Sequence, residues 1–384
     1  MSGDRSPLIM LAAGGTGGHM FPADALAAAL KAKGCRLMLV TDRRGGELGG
    51  ALADIETHLV MAGGIAGKSF VQRMVSAFKL GIGTFQGRRL LKRTKPDAVV
   101  GFGGYASVPT MWGSSLGGYK TAIHEQNAVL GRANRILAPY ARLIALSFEE
   151  VSGLPAAAAD RTRQTGMPVR PAVIALRRTP YPVLEEDGPL NLFIFGGSQG
   201  AAVFSSVVPE AVRLLAGSLA ARLAIVQQCR AEDLGQVEAA YRQMKVKAEL
   251  SSFFTDLPQR LAAAHLVIGR AGASTIAELT CIGRPAILVP YPHAADDHQS
   301  FNAHALDEAG GGWLMPEDAF TPQSLSARLS ELFALPATLE KAASAAHAAG
   351  RPDAAERLAE VVLGLLEEEE KDAVTEENGE GGAQ

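Results

Sequence analysis

The sequence predicts an α/β protein built as two doubly wound parallel-sheet domains, and three observations predict it. Short apolar, β-rich runs alternate with helical stretches along most of the 384 residues, the pattern of parallel strands covered on both faces by helices. A proline-rich, charged stretch from Gly166 to Gly188, with Pro168, Pro171, Pro180 and Pro182 inside it, interrupts that alternation near the middle of the chain. On either side stands the same signature: LIMLAAGGTGG from Leu8 and LFIFGGSQG from Leu192 are each an apolar strand running into a glycine turn and an alanine-rich helix. Strands are expected at Leu8–Ala12, Arg36–Thr41, Ala98–Phe102, Thr121–His124 and Leu143–Leu146, then at Leu192–Phe195, Leu223–Gln227, Leu266–Ile268 and Ala286–Val289. The expected domains are 1–166 and 167–350, with a helix over about 352–366 packing back on the first and an acidic, disordered tail at 367–384. In such sheets a ligand lies at the carboxyl ends of the strands, so a cleft between the two facing halves is the expected site.

Composition narrows the class. Apolar residues at 47% and charged residues at 20% exclude a disordered or fibrous chain. Three scattered cysteines without a C-x-x-C give neither a disulfide framework nor a zinc site, which points to a reducing cytoplasm. No signal-peptide pattern and no apolar stretch of about 20 residues occurs, so the reading is neither exported nor membrane-spanning. The net charge of −3 conceals an asymmetry: the tail from Glu367 holds eight acids against one base, leaving +4 on the body. Between Thr57 and Pro96 there is no acid at all, only Lys68, Arg73, Lys79, Arg88, Arg89, Lys92, Arg93 and Lys95.

The glycine turns suit phosphate. In Gly14-Gly15-Thr16-Gly17-Gly18-His19 the backbone can approach a ligand closely, and a helix beginning near Pro22 presents free N–H groups. A dinucleotide site is the competing reading, with Asp42 as the ribose acid, but Met20 follows where the third fingerprint glycine belongs. In the second half, Gly196–Ala201 is another anion-cradling turn. The run Gly269-Arg270-Ala271-Gly272-Ala273-Ser274-Thr275-Ile276-Ala277-Glu278 opens a helix whose N-terminus can hold a diphosphate while Glu278 accepts from ribose hydroxyls. The loop Pro290–Asn302 is dense in the donors and acceptors that sugar hydroxyls need.

Taken together and in order, GGTGGH, GFGGY (Gly101–Tyr105), HEQN (His124–Asn127), Asn134, GGSQGA, GRAGASTIAE and HQ-x-x-NA (His298–Ala303) span nearly the whole chain. In these motifs the sequence resembles the MurG family, GT-B fold N-acetylglucosaminyltransferases of bacterial peptidoglycan synthesis. The resemblance implies inverting transfer of GlcNAc from UDP-GlcNAc to the MurNAc 4-hydroxyl of lipid I, giving lipid II. It places Glu278 on the uridine ribose, Ser198 and Gly272–Thr275 on the diphosphate, Gln299 and Asn302 on the sugar, and the backbone near Phe254 and Leu257 on uracil. Thr16, Gly17, Gly18 and Arg170 join the donor side, and Gly15, Tyr105, His124 and Asn134 the acceptor side. Asn127 is assigned to the donor, although an acceptor contact fits it too. The family pattern has Asn at Met167 and usually Asp at His265.

Displacement needs a base on the acceptor oxygen and stabilisation of departing UDP. His19, in the glycine loop, is the first candidate base and Glu125 the second, or the group that orients it. With no Asp-x-Asp motif, helix dipoles, backbone N–H groups and Arg170 are expected to neutralise the leaving group. No metal and no cofactor is expected. From Ser69 to Phe85 the apolar residues Phe70, Val71, Met74, Val75, Phe78, Ile82 and Phe85 recur at helical spacing among basic ones. Either they form a core face, or they lie on the anionic cytoplasmic face of the inner membrane. Further partners on that reading are cell-wall synthesis proteins. Nucleic acid is not expected, because no stacking platform accompanies the basic run.

Overall fold

In the computed structural model the chain is described over residues 5–14, 17–42, 50–63, 70–197 and 200–380. It divides into two compact units: one comprises Met1–Pro168 with Asp353–Gln384, the other Val169–Pro352.

The first unit is a seven-stranded, wholly parallel sheet of β1 (Leu8–Ala12), β2 (Arg36–Thr41), β3 (Glu56–Leu59), β4 (Ala98–Gly101), β5 (Thr121–Glu125), β6 (Leu143–Leu146) and β7 (Thr162–Gln164). Its order, β3-β2-β1-β4-β5-β6-β7, reverses between β1 and β4, where a doubly wound sheet binds its ligand. Helices α1 (Gly17–Ala32), α2 (Phe70–Thr94), α3 (Gly104–Leu116) and α4 (Arg132–Leu137) connect the strands. Helix α1 begins a turn earlier than Pro22, so the imide nitrogen of Pro22 falls inside the helix, where it has no proton for the Gly18 carbonyl.

The second unit repeats the plan with six parallel strands: β8 (Leu190–Phe195), β9 (Leu223–Gln228), β10 (Lys247–Ser251), β11 (Leu266–Gly269), β12 (Ala286–Leu288) and β13 (Gly312–Leu314), ordered β10-β9-β8-β11-β12-β13. Around them lie α5 (Pro171–Ile174), α6 (Ala202–Leu214), α7 (Gly217–Arg222), α8 (Leu234–Met244), α9 (Leu257–Ala263), α10 (Ala273–Ile282), α11 (His298–Glu308), α12 (Pro322–Ala334) and α13 (Pro336–Ala349). Here the order reverses between β8 and β11, the strands that lead into the second and third glycine turns.

The α/β, doubly wound class is therefore as expected, and each of the nine expected strands is present to within two residues at either end. Each unit has its own core. In the second, Leu192, Ile194 and Ile268 of the sheet meet Phe204 and Val208 of α6 and Leu325 and Leu329 of α12. In the first, the chain returns at its end: helix α14 (Ala354–Glu380) seats Leu358, Ala359, Val362 and Leu365 among Ile9 of β1 and Leu26 and Leu30 of α1. The acidic run expected to lack regular structure instead continues α14 as far as Glu380. It contains glutamate, lysine and alanine, all good helix formers, and extends a helix already nucleated by packing.

Of the two arrangements open to it, helix α2 does not show the core face. Its inward residues include Ser76, Gly83, Gly87, Leu90 and Leu91, and a Cβ at Gly83 would overlap the Met61 carbonyl oxygen, while one at Gly87 would stand 3.2 Å from the Thr110 Cα. Small residues let α2 lie directly on α3 and the segment after β3. Of the apolar set expected from the sequence, Met74 at 59%, Phe78 at 71% and Phe85 at 68% exposed face out, and the side chains of Phe70 and Val71 lie outside the described residues.

Candidate active site

The carboxyl ends of β1, β4 and β5 assemble a polar cluster. After β1, Gly14 presses so tightly on its neighbours that an added Cβ would stand 2.7 Å from Ala106 Cβ and 2.9 Å from Thr41 Oγ1. His19 follows in the first turn of α1. After β4, Gly103 adopts φ 77°, ψ −166°, a region essentially restricted to glycine, and Gly104 also has positive φ. A Cβ on Gly104 would lie 3.1 Å from His19 Cδ2 and 3.2 Å from Nε2. The GFGG sequence thus brings bare backbone against the imidazole, with Tyr105 next along α3, half-buried.

The HEQN segment closes the cluster. Glu125, 1% exposed, has both oxygens engaged: Oε1 accepts from Asn127 N (3.0 Å) and more weakly from Asn127 Nδ2 (3.4 Å), and Oε2 accepts from Gly131 N and Asn134 Nδ2 (both 2.8 Å). These donors orient the carboxylate towards the loop it organises, an arrangement at odds with an available base. His124, expected at the acceptor, is fully buried. Its Nε2 is 3.3 Å from the Gly166 carbonyl and its ring lies against Phe102, centroids 5.8 Å apart. Burial pushes its pKa down to about 4, so it is a neutral framework residue. Asn134, 2% exposed, donates to His124 O (3.1 Å) and Glu125 Oε2, while its Oδ1 is buried without a hydrogen-bond partner. Both amide atoms of Asn134 and His19 Cε1 flank the space above Gly103. Gln126, given no role by the sequence reading, accepts through Oε1 at 3.0 Å from His19 Nδ1.

The second unit holds its own cluster. Helix α10 is capped by Gly272 with no side-chain cap, so the N–H groups of Ala273, Ser274 and Thr275 have no intrahelical acceptor; Ile276 N makes the first bond, to Gly272 O. Glu278, 8% exposed, lies in the second turn. Arg170 binds it from the start of α5, with Nε 3.0 Å and Nη2 2.8 Å from the same oxygen, Oε1. Burial raises the Glu278 pKa, and the Arg170 charge and hydrogen bonds oppose that rise. The expected division of labour, Arg170 on diphosphate and Glu278 on ribose, is thus joined here in one ion pair. Asn302 is wholly buried and donates to Ala271 O (3.1 Å), bracing the turn before α10, and Gln299 Oε1 accepts from Tyr291 N (2.9 Å). Phe254 is buried edge-on to Phe193 under the Arg260 guanidinium, and Leu257 opens α9.

Gln228, also missed, ties these loops together. Its Oε1 accepts from Gly196 N (3.2 Å), and its Nε2 donates to Gly197 O (3.0 Å) and Ser252 O (3.2 Å). Gly15, Thr16 and Ser198 lie outside the described residues, whereas Gly17 and Gly18 open α1. The two departures from the family pattern have structural places. His265 Nδ1 accepts the Asn191 N–H (2.9 Å), a task a carboxylate could also perform, and the Met167 sulfur accepts from Ser147 Oγ (3.7 Å). Among the described residues no three His, Cys, Asp or Glu side chains converge as metal ligands.

Two Rossmann-like units, each with a glycine turn at its switch point and one carrying an uncapped helix N-terminus beside a buried carboxylate, define a GT-B nucleotide-sugar glycosyltransferase. Comparison with known proteins agrees. The family models "Glycosyltransferase family 28 N-terminal domain" and "Glycosyltransferase family 28 C-terminal domain" match residues 9–146 and 191–358. A UDP-N-acetylglucosamine--N-acetylmuramyl-(pentapeptide) pyrophosphoryl-undecaprenol N-acetylglucosamine transferase of Paramagnetospirillum magneticum is 55% identical over 95% of this chain and 98% of its own length. One of the same name from Rhodospirillum centenum is 54% identical over 93% and 94%. The crystal structure of MurG from Acinetobacter baumannii superposes with a TM-score of 0.76 at 30% identity, over 93% of this chain and 99% of that one. The chain belongs to glycosyltransferase family 28 and, within it, to the MurG family.

Proposed function

We propose that this chain transfers GlcNAc from UDP-GlcNAc to the N-acetylmuramyl 4-hydroxyl of pyrophosphoryl-undecaprenol-linked N-acetylmuramyl-pentapeptide, with inversion, at the membrane surface where that acceptor lies. The observation that carries the donor half is Glu278, a buried carboxylate in the second turn of a helix with free N–H groups at its start. Both Arg170 bonds fall on Oε1, so Oε2 remains to accept a ribose hydroxyl, and the diphosphate seats on the N–H groups of Ala273–Thr275. The acceptor oxygen attacks C1 of the sugar as its proton passes to His19. UDP departs with a charge that the α10 N-terminus and Arg170 stabilise. The engaged oxygens of Glu125 favour His19 as the base, with Glu125 holding Asn127 and Asn134 at the site. Asn134 Oδ1, buried and unsatisfied, suits a donor group from the acceptor.

Membrane contact falls to α2. Its outward Met74, Val75, Phe78 and Phe85, with Lys79 and Arg89 exposed among them, form an apolar and basic face. No helix among the described residues is long and apolar enough to cross a membrane, and a peripheral association with the cytoplasmic leaflet is the corresponding proposal. Incubation with radiolabelled UDP-GlcNAc and the lipid-linked acceptor tests the activity. Labelled disaccharide-lipid is the expected product, and label that appears only as free GlcNAc would refute the assignment.

A further inference from the structure

Gln126 comes from the end of β5, reaches across the end of β4 and meets His19 beside β1, so three neighbouring strand ends converge on one side-chain amide. The orientation of that amide follows from its surroundings. Its Nε2 stands 2.9 Å from Phe102 O, 3.0 Å from His124 O and 3.1 Å from His124 Nδ1. The two backbone carbonyls can only accept, so the NH₂ group must face them; turning the amide over would set its oxygen against two others. One N–H goes to Phe102 O, and the other is shared between the two His124 acceptors. Oε1 then faces His19, and an amide oxygen can only accept. His19 Nδ1 must be the donor across that 3.0 Å contact.

We infer that Gln126 is the positioning residue that fixes His19 in the Nδ1–H tautomer, leaving the lone pair on Nε2 to take the proton of the attacking hydroxyl. The inference rests on the reading of His19 as the base. A free imidazole samples both tautomers, and the form protonated on Nε2 could not accept a proton there. The serine-protease triad meets the same requirement with a carboxylate on Nδ1–H. A neutral amide orients the ring equally but adds no negative charge, so it does not favour the imidazolium and the proton can leave again after transfer. The remainder of the network supports this direction. His124 offers Nδ1 as an acceptor because its own proton lies on Nε2, towards Gly166 O, and its depressed pKa keeps it neutral. Gly104 limits the other edge of the His19 ring with backbone alone, since any Cβ there would crowd Nε2.

Nitrogen-15 NMR of the imidazoles of the full chain tests the tautomer without any reference to turnover, with the His19 signals assigned by their loss in His19→Gln. The expected wild-type pattern is a protonated Nδ1 and an unprotonated Nε2. In Gln126→Leu both nitrogens should move to the averaged positions of a tautomer mixture. In the same variant kcat should fall on the order of 10- to 100-fold while the KM for UDP-GlcNAc stays within about twofold. Gln126→Glu retains an acceptor for Nδ1–H, while its second oxygen, set against the Phe102 and His124 carbonyls, is held protonated, so it should keep the tautomer without adding charge. A wild-type chain protonated on Nε2, or His19 signals unaltered in Gln126→Leu, would overturn the inference. A tautomer shift in Gln126→Leu with unaltered kcat would instead leave the Gln126–His19 link standing and remove His19 as the base, which overturns the catalytic role.

Discussion

On the proposed reading Glu278 accepts the ribose hydroxyls most strongly when ionised, yet its burial raises its pKa and Arg170 works against that rise. Donor affinity should therefore be complete above the raised pKa and fall as pH drops through it, beginning at a higher pH than for an ordinary glutamate near 4.3. Arg170→Met, which removes the compensating charge, should move that onset higher still. KM for UDP-GlcNAc measured from pH 8 to 5 in both proteins checks this, and coincident profiles would sever the link between the two residues. His19→Ala should lower kcat by about 10²–10⁴ with UDP binding retained in a calorimetric titration. His124 carries a stability signature instead. Its pKa is about 4 folded and about 6.5 unfolded, so below pH 6.5 the unfolded chain binds the proton first. The stability linked to this residue is fully present above pH 6.5 and declines by about 3 kcal/mol as pH falls towards 4. Urea unfolding at pH 7 and 4.5 should show a smaller pH dependence in His124→Gln than in the wild type.

Helix α2 illustrates why an apolar period alone does not identify a core face. Its period was legible, but the direction was not, because over the stretch that carries the period the packed side includes Ser76, Gly83 and Gly87, which carry little apolar signal. The two sides separate by substitution. Gly83→Leu should cost about 1–3 kcal/mol or more, since the Met61 carbonyl already occupies the position of its Cβ. Phe78→Ser should change stability by no more than about 0.5 kcal/mol, its ring being 71% exposed, yet weaken binding to anionic vesicles in a sedimentation assay. Equal loss of stability in both would return the outer face to the core. The same reasoning explains which strands were legible. The nine found are central or nearly so, buried on both faces, and read as apolar runs. The four missed, β3, β7, β10 and β13, are the two edges of each sheet, partly exposed and carrying Glu56, Arg163, Lys247 and Gly312. Site residues divided in a similar way. Glycines, His19 and Glu278 announce themselves by local motif, whereas Gln126 matters through its contacts to Phe102 and His19, 24 and 107 residues away in sequence, and Gln228 through partners 24 to 32 residues away.

At the scale of the whole molecule, the second unit is an insertion within the first. The chain leaves the first unit after Pro168 and rejoins it at Asp353. Leu358 is fully buried on α1, so Leu358→Ala should cost about 2–5 kcal/mol. That loss should fall on the first unit alone, read as earlier hydrogen exchange in β1 and α1 with β8 and β11 unaltered. Uniform loss of protection in both sheets would mean that the units unfold as one.

The late arrival of α14 also sets a timetable for biosynthesis. At about 5–20 residues per second, roughly 10–40 s separate translation of Pro168 from that of Asp353. Throughout that interval the apolar side of α1, including Leu26 and Leu30, has emerged without the helix that covers it. The inserted unit, complete by Pro352, can finish folding while its host still waits. A nascent chain stalled anywhere in this window exposes a long-lived binding surface for chaperones or for its own copies, and only the synthesis of α14 withdraws it.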